Sequence, residues 1–112
     1  MSMVENIWTQ AHQAVEDGRL EELARLLDAG ADPNEVCCGM TLLGHAVDYE
    51  ADSAIQNGEQ MGVGLIALLL AYGASPRVDE AYDKSALRMA AEYGHDMAYR
   101  LLERSLRGQS AV

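Results

Sequence analysis

Leu26-Leu27-Asp28-Ala29-Gly30-Ala31-Asp32-Pro33 and Leu69-Leu70-Ala71-Tyr72-Gly73-Ala74-Ser75-Pro76 are two copies of one pattern, Leu-Leu-x-x-Gly-Ala-x-Pro. A pattern that returns in a chain of 112 residues constrains the fold to a stack of similar units, because each unit buries its apolar face only against the next. The residues of the pattern carry its physics. The Leu-Leu pairs, with an apolar residue three or four positions earlier, form one face of an amphipathic helix. Gly30 and Gly73 stand where that helix ends with positive φ, which glycine adopts without steric cost. Pro33 and Pro76 follow where a helix does not continue. Thr41 and Ser85 stand where a hydroxyl can accept from the free N–H groups of a new helix.

Reading outward, the first copy is preceded by Thr9-x-x-His12-x-Ala14, Gly18 and Leu23. The second is preceded by Gly39-x-Thr41-x-Leu43, Ala46-Val47 and Ile66. A third copy opens at Asp83-Lys84-Ser85-Ala86-Leu87 and runs through Ala90-Ala91 and Gly94 to Leu101-Leu102. This arrangement resembles the ankyrin repeat, Gly-x-Thr-Pro-Leu-His-x-Ala-Ala-x-x-Gly followed by Val-x-x-Leu-Leu-x-x-Gly-Ala-Asp-x-Asn, from about Ile7 to about Arg104. Thr9 and Thr41 are 32 residues apart and Thr41 and Ser85 are 44 apart. Against a unit of about 33 residues, the second copy carries roughly 11 extra. The fold expected is all-α: an ankyrin-type solenoid of about three helix-turn-helix repeats with short hairpin-like fingers. Repeat 1 is expected over about 4–34, repeat 2 over about 35–77 with an insertion at about 50–60, and repeat 3 over about 78–107 as the C-terminal cap.

The first helix is expected from about Val4 to Asp17, with Ile7, Trp8, Ala11, Ala14 and Val15 on its apolar face. Trp8, the only tryptophan, is expected to close the end of the stack rather than to bind a ligand. The resemblance gives His12 a structural hydrogen bond near Thr9. The second helix is expected from about Leu20 to Ala29, with Leu20, Leu23, Leu26 and Leu27 inward and Glu21 paired to Arg25 at i,i+4. A hairpin-like loop follows from Glu35 to Met40. Its apolar residues Val36, Cys37, Cys38 and Met40 either pack on neighbouring fingers, which is favoured, or form an exposed contact patch. Leu42 and Gly44 replace the family's proline and histidine, which puts that motif's local hydrogen bonds in doubt in this repeat.

The inserted stretch reads as structure. Val47, Ala51, Ala54 and Ile55 keep helical spacing and Asn57-Gly58 is a stop, so the helix begun at Thr41 is expected to run on by two or three turns. The connection Gly58 to Gly64 then leads to an apolar helix, Leu65 to Tyr72. Beyond it a second finger is expected over Val78–Lys84, a third inner helix over Ser85–Glu92, and a last helix from about His95 to Leu106 with a frayed end from Gly108. Arg100, Glu103, Arg104 and Arg107 give that last helix a polar outer face.

The net charge of −10 opposes nucleic acid as a partner, since phosphate contacts need a basic patch. Lys and Arg are absent from Arg25 to Arg77, an interval holding Asp28, Asp32, Glu35, Asp48, Glu50, Asp52 and Glu59. Such a field either keeps the chain soluble or favours a basic partner and salt-sensitive association. Asp48 and Asp52 are like charges at i,i+4, with Tyr49 and Gln56 beside them; the spacing costs a few tenths of a kcal/mol, and the alternatives are a solvated acidic face or a face that meets a cation. A helix cannot wrap a metal ion with oxygens, and two vicinal thiols make no zinc site. No metal and no cofactor is expected. The adjacent Cys37 and Cys38 would form a strained disulfide, and the start of the chain lacks a basic and apolar leader. With no apolar run long enough for a bilayer, a cytoplasmic monomer is expected.

Three functions divide the field. The first, implied by the resemblance, is a non-catalytic protein-binding module that engages another, basic protein through its fingers and inner helices. On the acidic helix the residues expected to bind are Asp48, Tyr49, Asp52 and Gln56. On the second finger and third inner helix they are Glu80, Tyr82, Lys84, Arg88, Met89 and Glu92. The chain also resembles small stand-alone bacterial ankyrin proteins with an insertion Asp-x-Glu-x-Asp-x-x-x-Gln-x-Gly, matched by Asp48, Glu50, Asp52, Gln56 and Gly58; some such proteins act as immunity proteins or inhibitors of toxins. The second, an enzyme, lacks a nucleophile and base in sequence order, and His12, His45 and His95 are scattered. The third is an oligomerising structural scaffold, since three repeats are close to the minimum for stability.

Overall fold

A computed structural model describes residues 7–79 and 85–110. Among them the chain forms α1 (Gln10–Glu16), α2 (Leu20–Asp28), β1 (Val36–Cys37), β2 (Met40–Thr41), α3 (Leu42–Asn57), α4 (Gly64–Ala71), α5 (Pro76–Asp79), α6 (Ala86–Tyr93) and α7 (Asp96–Ser110). Helices α1/α2, α3/α4 and α6/α7 pack as consecutive pairs. Across pairs, α1 meets α3 and α3 meets α6 in one layer, while α2 meets α4 and α4 meets α7 in the other. This is the helical solenoid expected from the repeated pattern. Its core runs between the layers through Val15, Leu23, Leu27, Leu43, Val47, Ile66, Leu69, Ala90 and Leu102.

Each inner helix opens on a hydroxyl. Thr9 Oγ1 accepts from His12 N, Thr41 Oγ1 from Gly44 N and Ser85 Oγ from Arg88 N, each a capping bond of about 1 kcal/mol. The cap at Thr41 forms although Leu42 and Gly44 depart from the family motif, because it needs only the hydroxyl and a free N–H. Helix α3 continues to Asn57 and stops at Gly58, whose φ is +66°, so the insertion extends an inner helix. Gly30 and Gly73 also carry positive φ, at +105° and +96°.

Several expectations are corrected. The first helix starts at Gln10 and not near Val4; its expected first residues 4–6 lie outside the described residues. Thr9 is spent as a cap, so Ile7 precedes the helix and is 66% exposed. Leu20, at the start of α2, is exposed and not inward, and Ile55, in the last turn of α3, keeps the helical spacing but is exposed. Arg25 pairs with Glu22, through Nε and Nη2 at 2.9 and 2.7 Å, and not with Glu21. The apolar helix α4 spans Gly64–Ala71, one residue earlier than expected at either end. Pro76 ends the preceding segment but opens α5, where fixed φ suits a first helical position; Val78 and Asp79 are therefore helical and not part of a finger. Helix α7 starts at Asp96, one residue later than expected, and passes Leu106 and Gly108 to Ser110.

The finger of the second repeat is a two-residue hairpin pairing Val36 with Thr41 and Cys37 with Met40. Its turn residues Cys38 and Gly39 both have positive φ, +56° and +78°, the geometry that matches strand twist. Val36 and Cys38 are exposed while Cys37 and Met40 are half-buried, so the finger neither packs away wholly nor presents all four residues.

Candidate functional site

A concavity of about 400 Å³ opens between β2, α3 and α6, lined by Met40, Asp48, Met89, Glu92 and Tyr93. Each residue is delivered by a local rule. Met40 is the first residue of the returning strand. Asp48 follows the core residue Val47 on α3, one helical turn on from Gly44. Met89 and Tyr93 are i,i+4 on α6, so they share a face. The Tyr93 hydroxyl donates to Asp48 Oδ1 at 2.7 Å and joins the two helices across the groove. That bond, with burial and the Asp48 charge, pushes the Tyr93 phenol up to about 12. Asp48 is thereby held in place as the acceptor at the floor. Glu92 stands exposed at the rim, 3.5 Å from the exposed Arg88 guanidinium at i,i+4, an interaction of a few tenths of a kcal/mol at most. Two methionine side chains beside two carboxylates make a site that accepts an aliphatic stem carrying a positive head.

The expected binding residues fall in different places. Asp48, Met89 and Glu92 come together in this concavity, with Arg88 beside its rim. Met89 is only 6% exposed, so it serves the core as well as the wall. Tyr49 points the other way: its ring fills the space beside Gly18, in the turn between α1 and α2. Asp52 and Gln56 are exposed further along α3, where Gln56 Nε2 donates to Asp52 Oδ2 at 2.7 Å. Glu80, Tyr82 and Lys84 lie outside the described residues. Tyr93 joins the lining without having been expected in a site, and Met40 enters it from the finger whose apolar residues were expected to pack or to form a contact patch; the signal for Tyr93 was its i,i+4 step from Met89.

The third carboxylate of the acidic insertion has a structural task. Glu50 Oε2 accepts from Leu65 N at 3.2 Å, so it satisfies a free N–H and places negative charge at the N-terminus of α4. The connection between α3 and α4 is held from the other side by His95, whose Nε2 donates to the Gly62 carbonyl at 2.7 Å. Asn34 Oδ1 accepts from Ser75 N at 2.7 Å and links the two Gly-Ala turns. The return path from α3 is thus held at its α4 end by Glu50 and His95. Among the described residues no group of three or more His, Cys, Asp or Glu side chains could hold a metal ion, and no helix is long and apolar enough to cross a membrane.

Residues 11–55 match the family model described as ankyrin repeats (many copies). That stretch belongs to the ankyrin-repeat family. The matched span covers α1 through most of α3, including the hairpin, and α6/α7 repeat the same capped helix pair beyond it. No curated protein and no solved structure matches the chain. Ankyrin repeats are in general protein-binding modules without chemistry of their own, and the family's fingers and inner helices are the elements that line the concavity described above.

Proposed function

We propose that this chain is a non-catalytic module that binds a basic partner protein on its inner face, with a Lys or Arg side chain of the partner seated in the concavity between α3 and α6. The observation that carries the reading is the placement of Asp48 and Glu92 beside Met40 and Met89 in one concavity. The stretch without Lys or Arg from Arg25 to Arg77 adds long-range attraction for such a partner. Inhibition of a basic enzyme such as a nuclease, as an immunity protein acts, is the narrower form of the same reading and draws on the same charge. Asp52 and Gln56 on the extension are the alternative contact, and the two regions can be separated by mutation.

The test is affinity capture from the source cell at low and high salt, with the parent, Glu92→Lys and Asp52→Lys as baits, followed by binding of the purified partner to each. The expected result is a basic protein held by the parent, released by salt and lost with Glu92→Lys. Retention by Glu92→Lys with loss by Asp52→Lys would move the contact to the helix extension. A chain that self-associates in light scattering and retains no partner would favour the scaffold.

A further inference from the structure

Three side chains at the start of the stack form a closed hydrogen-bonded line. His12, on α1, is fully buried, and the His45 side chain, on α3, is 1% exposed. His12 Nε2 lies 3.2 Å from the Glu35 carbonyl oxygen. His45 Nε2 lies 2.8 Å from Glu16 Oε1. The two remaining ring nitrogens, His12 Nδ1 and His45 Nδ1, face each other at 2.9 Å.

The proton count follows from what each atom can do. A carbonyl oxygen only accepts, so His12 Nε2 carries a hydrogen. A carboxylate oxygen only accepts, so His45 Nε2 carries one as well. Two neutral rings with those tautomers would turn a lone pair each toward the other at hydrogen-bond distance. The Nδ1–Nδ1 bond therefore needs a third proton, and one ring is an imidazolium. His95 provides the contrast: its Nε2 donates to the Gly62 carbonyl and its Nδ1 accepts from Ala98 N, which a neutral ring does alone.

The surroundings decide which ring holds the charge. Burial pushes His12 below its ordinary range and the neighbouring His45 pushes the same way, against the opposing bond to the Glu35 carbonyl and the Glu35 charge. His45 has the Glu16 carboxylate at its other nitrogen. The Trp8 ring lies over His45 with centroids 4.5 Å apart, closer than its 5.9 Å to His12, and an aromatic face attracts a cation. The charged groups facing the pair are Glu16 from α1 and Glu35 from the loop before the hairpin, whose carboxylate also accepts from the Thr9 hydroxyl at 2.7 Å.

We propose that His12 and His45 share three ring protons, with His45 the imidazolium, and that this single proton latches α1 and Trp8 onto α3. The bond joins α1 to α3 across the boundary between the first two repeats, so the charge state of the pair bears on how tightly they pack. Loss of the shared proton as pH rises sets the two Nδ1 lone pairs against each other and opens the latch. A further proton on His12 as pH falls sets two imidazolium rings side by side and opens it as well. Docking is strongest between these limits.

Trp8 is the reporter, because an imidazolium stacked on indole quenches its emission. The experiment follows ring nitrogen shifts of the 15N-histidine-labelled parent, and Trp8 emission of the parent and Glu16→Gln, across about pH 5–8. The expected result is one ring, His45, with both nitrogens protonated in the middle of this range. Removing the carboxylate, which faces the His45 ring at 2.8 Å, should move the Trp8 transition to lower pH, because the imidazolium loses its opposite charge. Glu16 is half-exposed, so this variant keeps the fold. Two rings that stay neutral throughout while the far-UV spectrum remains native, or a Trp8 transition that Glu16→Gln leaves in place, would overturn the proposal.

Discussion

Gly18→Ala tests the packing of the first inner turn more sharply than any core truncation. Two costs add at this site. Gly18 has φ +67°, and an L side chain in that region costs about 1–2 kcal/mol. A methyl built there would stand 2.0 Å from Tyr49 Oη, 2.5 Å from its Cζ and 3.0 Å from its Cε2. The phenol is rigid and packs against the core, so the ring must leave its rotamer, at about 0.5–1.5 kcal/mol. The total is about 2–3 kcal/mol, which lowers the urea midpoint by about 1–2 M for a domain of this size. Gly58→Ala is the control: φ is nearly the same at +66°, but nothing lies within 4 Å of the added methyl. It should lose only the backbone share. In a Tyr49→Ala background Gly18→Ala should fall to the cost of Gly58→Ala, leaving a coupling of about 1 kcal/mol between residues 18 and 49. Equilibrium urea unfolding followed by far-UV circular dichroism reads all of these. If Gly18→Ala and Gly58→Ala lose the same stability, and Tyr49→Ala changes neither, the tyrosine does not occupy the turn and the reasoning fails.

Leu69→Ala, at a fully buried position of α4, should cost about 2–5 kcal/mol in the same assay; a variant that melts with the parent would remove Leu69 from the core. Glu50→Gln removes the charge at the start of α4 and should cost about 0.3–1 kcal/mol, less at high salt, with amide exchange at Leu65 as the local readout. Tyr93 should ionise at about 12 in an ultraviolet absorbance titration. Its neutral form is the one bonded to Asp48, so the stability it gives is complete below the ordinary value of 10.0 and is lost as pH rises through about 12. Asp48→Asn should bring that transition down toward the ordinary value.

Local chemistry makes much of this molecule legible in its residues alone. The Leu-Leu and Gly-Ala pattern, the Thr and Ser caps and the Asn57-Gly58 stop act within a turn or two of chain, where spacing and backbone preference decide the outcome. So the stacked helix pairs and the long α3 could be read from residues alone. What failed at that level was a matter of competition between neighbours. Thr9 could have continued a helix but capped one, and Leu20 and Ile55 kept apolar spacing at helix ends that the stack does not cover.

The candidate site needed the tertiary structure. Asp48 and Tyr93 are 45 residues apart and His12 and His45 are 33 apart, so no periodicity connects them. Asp48, Glu50 and Asp52 look alike as one acidic run, yet Asp48 meets Tyr93, Glu50 meets the N-terminus of α4 and Asp52 accepts from Gln56 on its own helix. The sequence determined that these carboxylates lie on a helix, because helical spacing is set within the chain. Stacking alone decided which of them face a neighbour, because a side chain's partner is whatever the next repeat brings within hydrogen-bond reach.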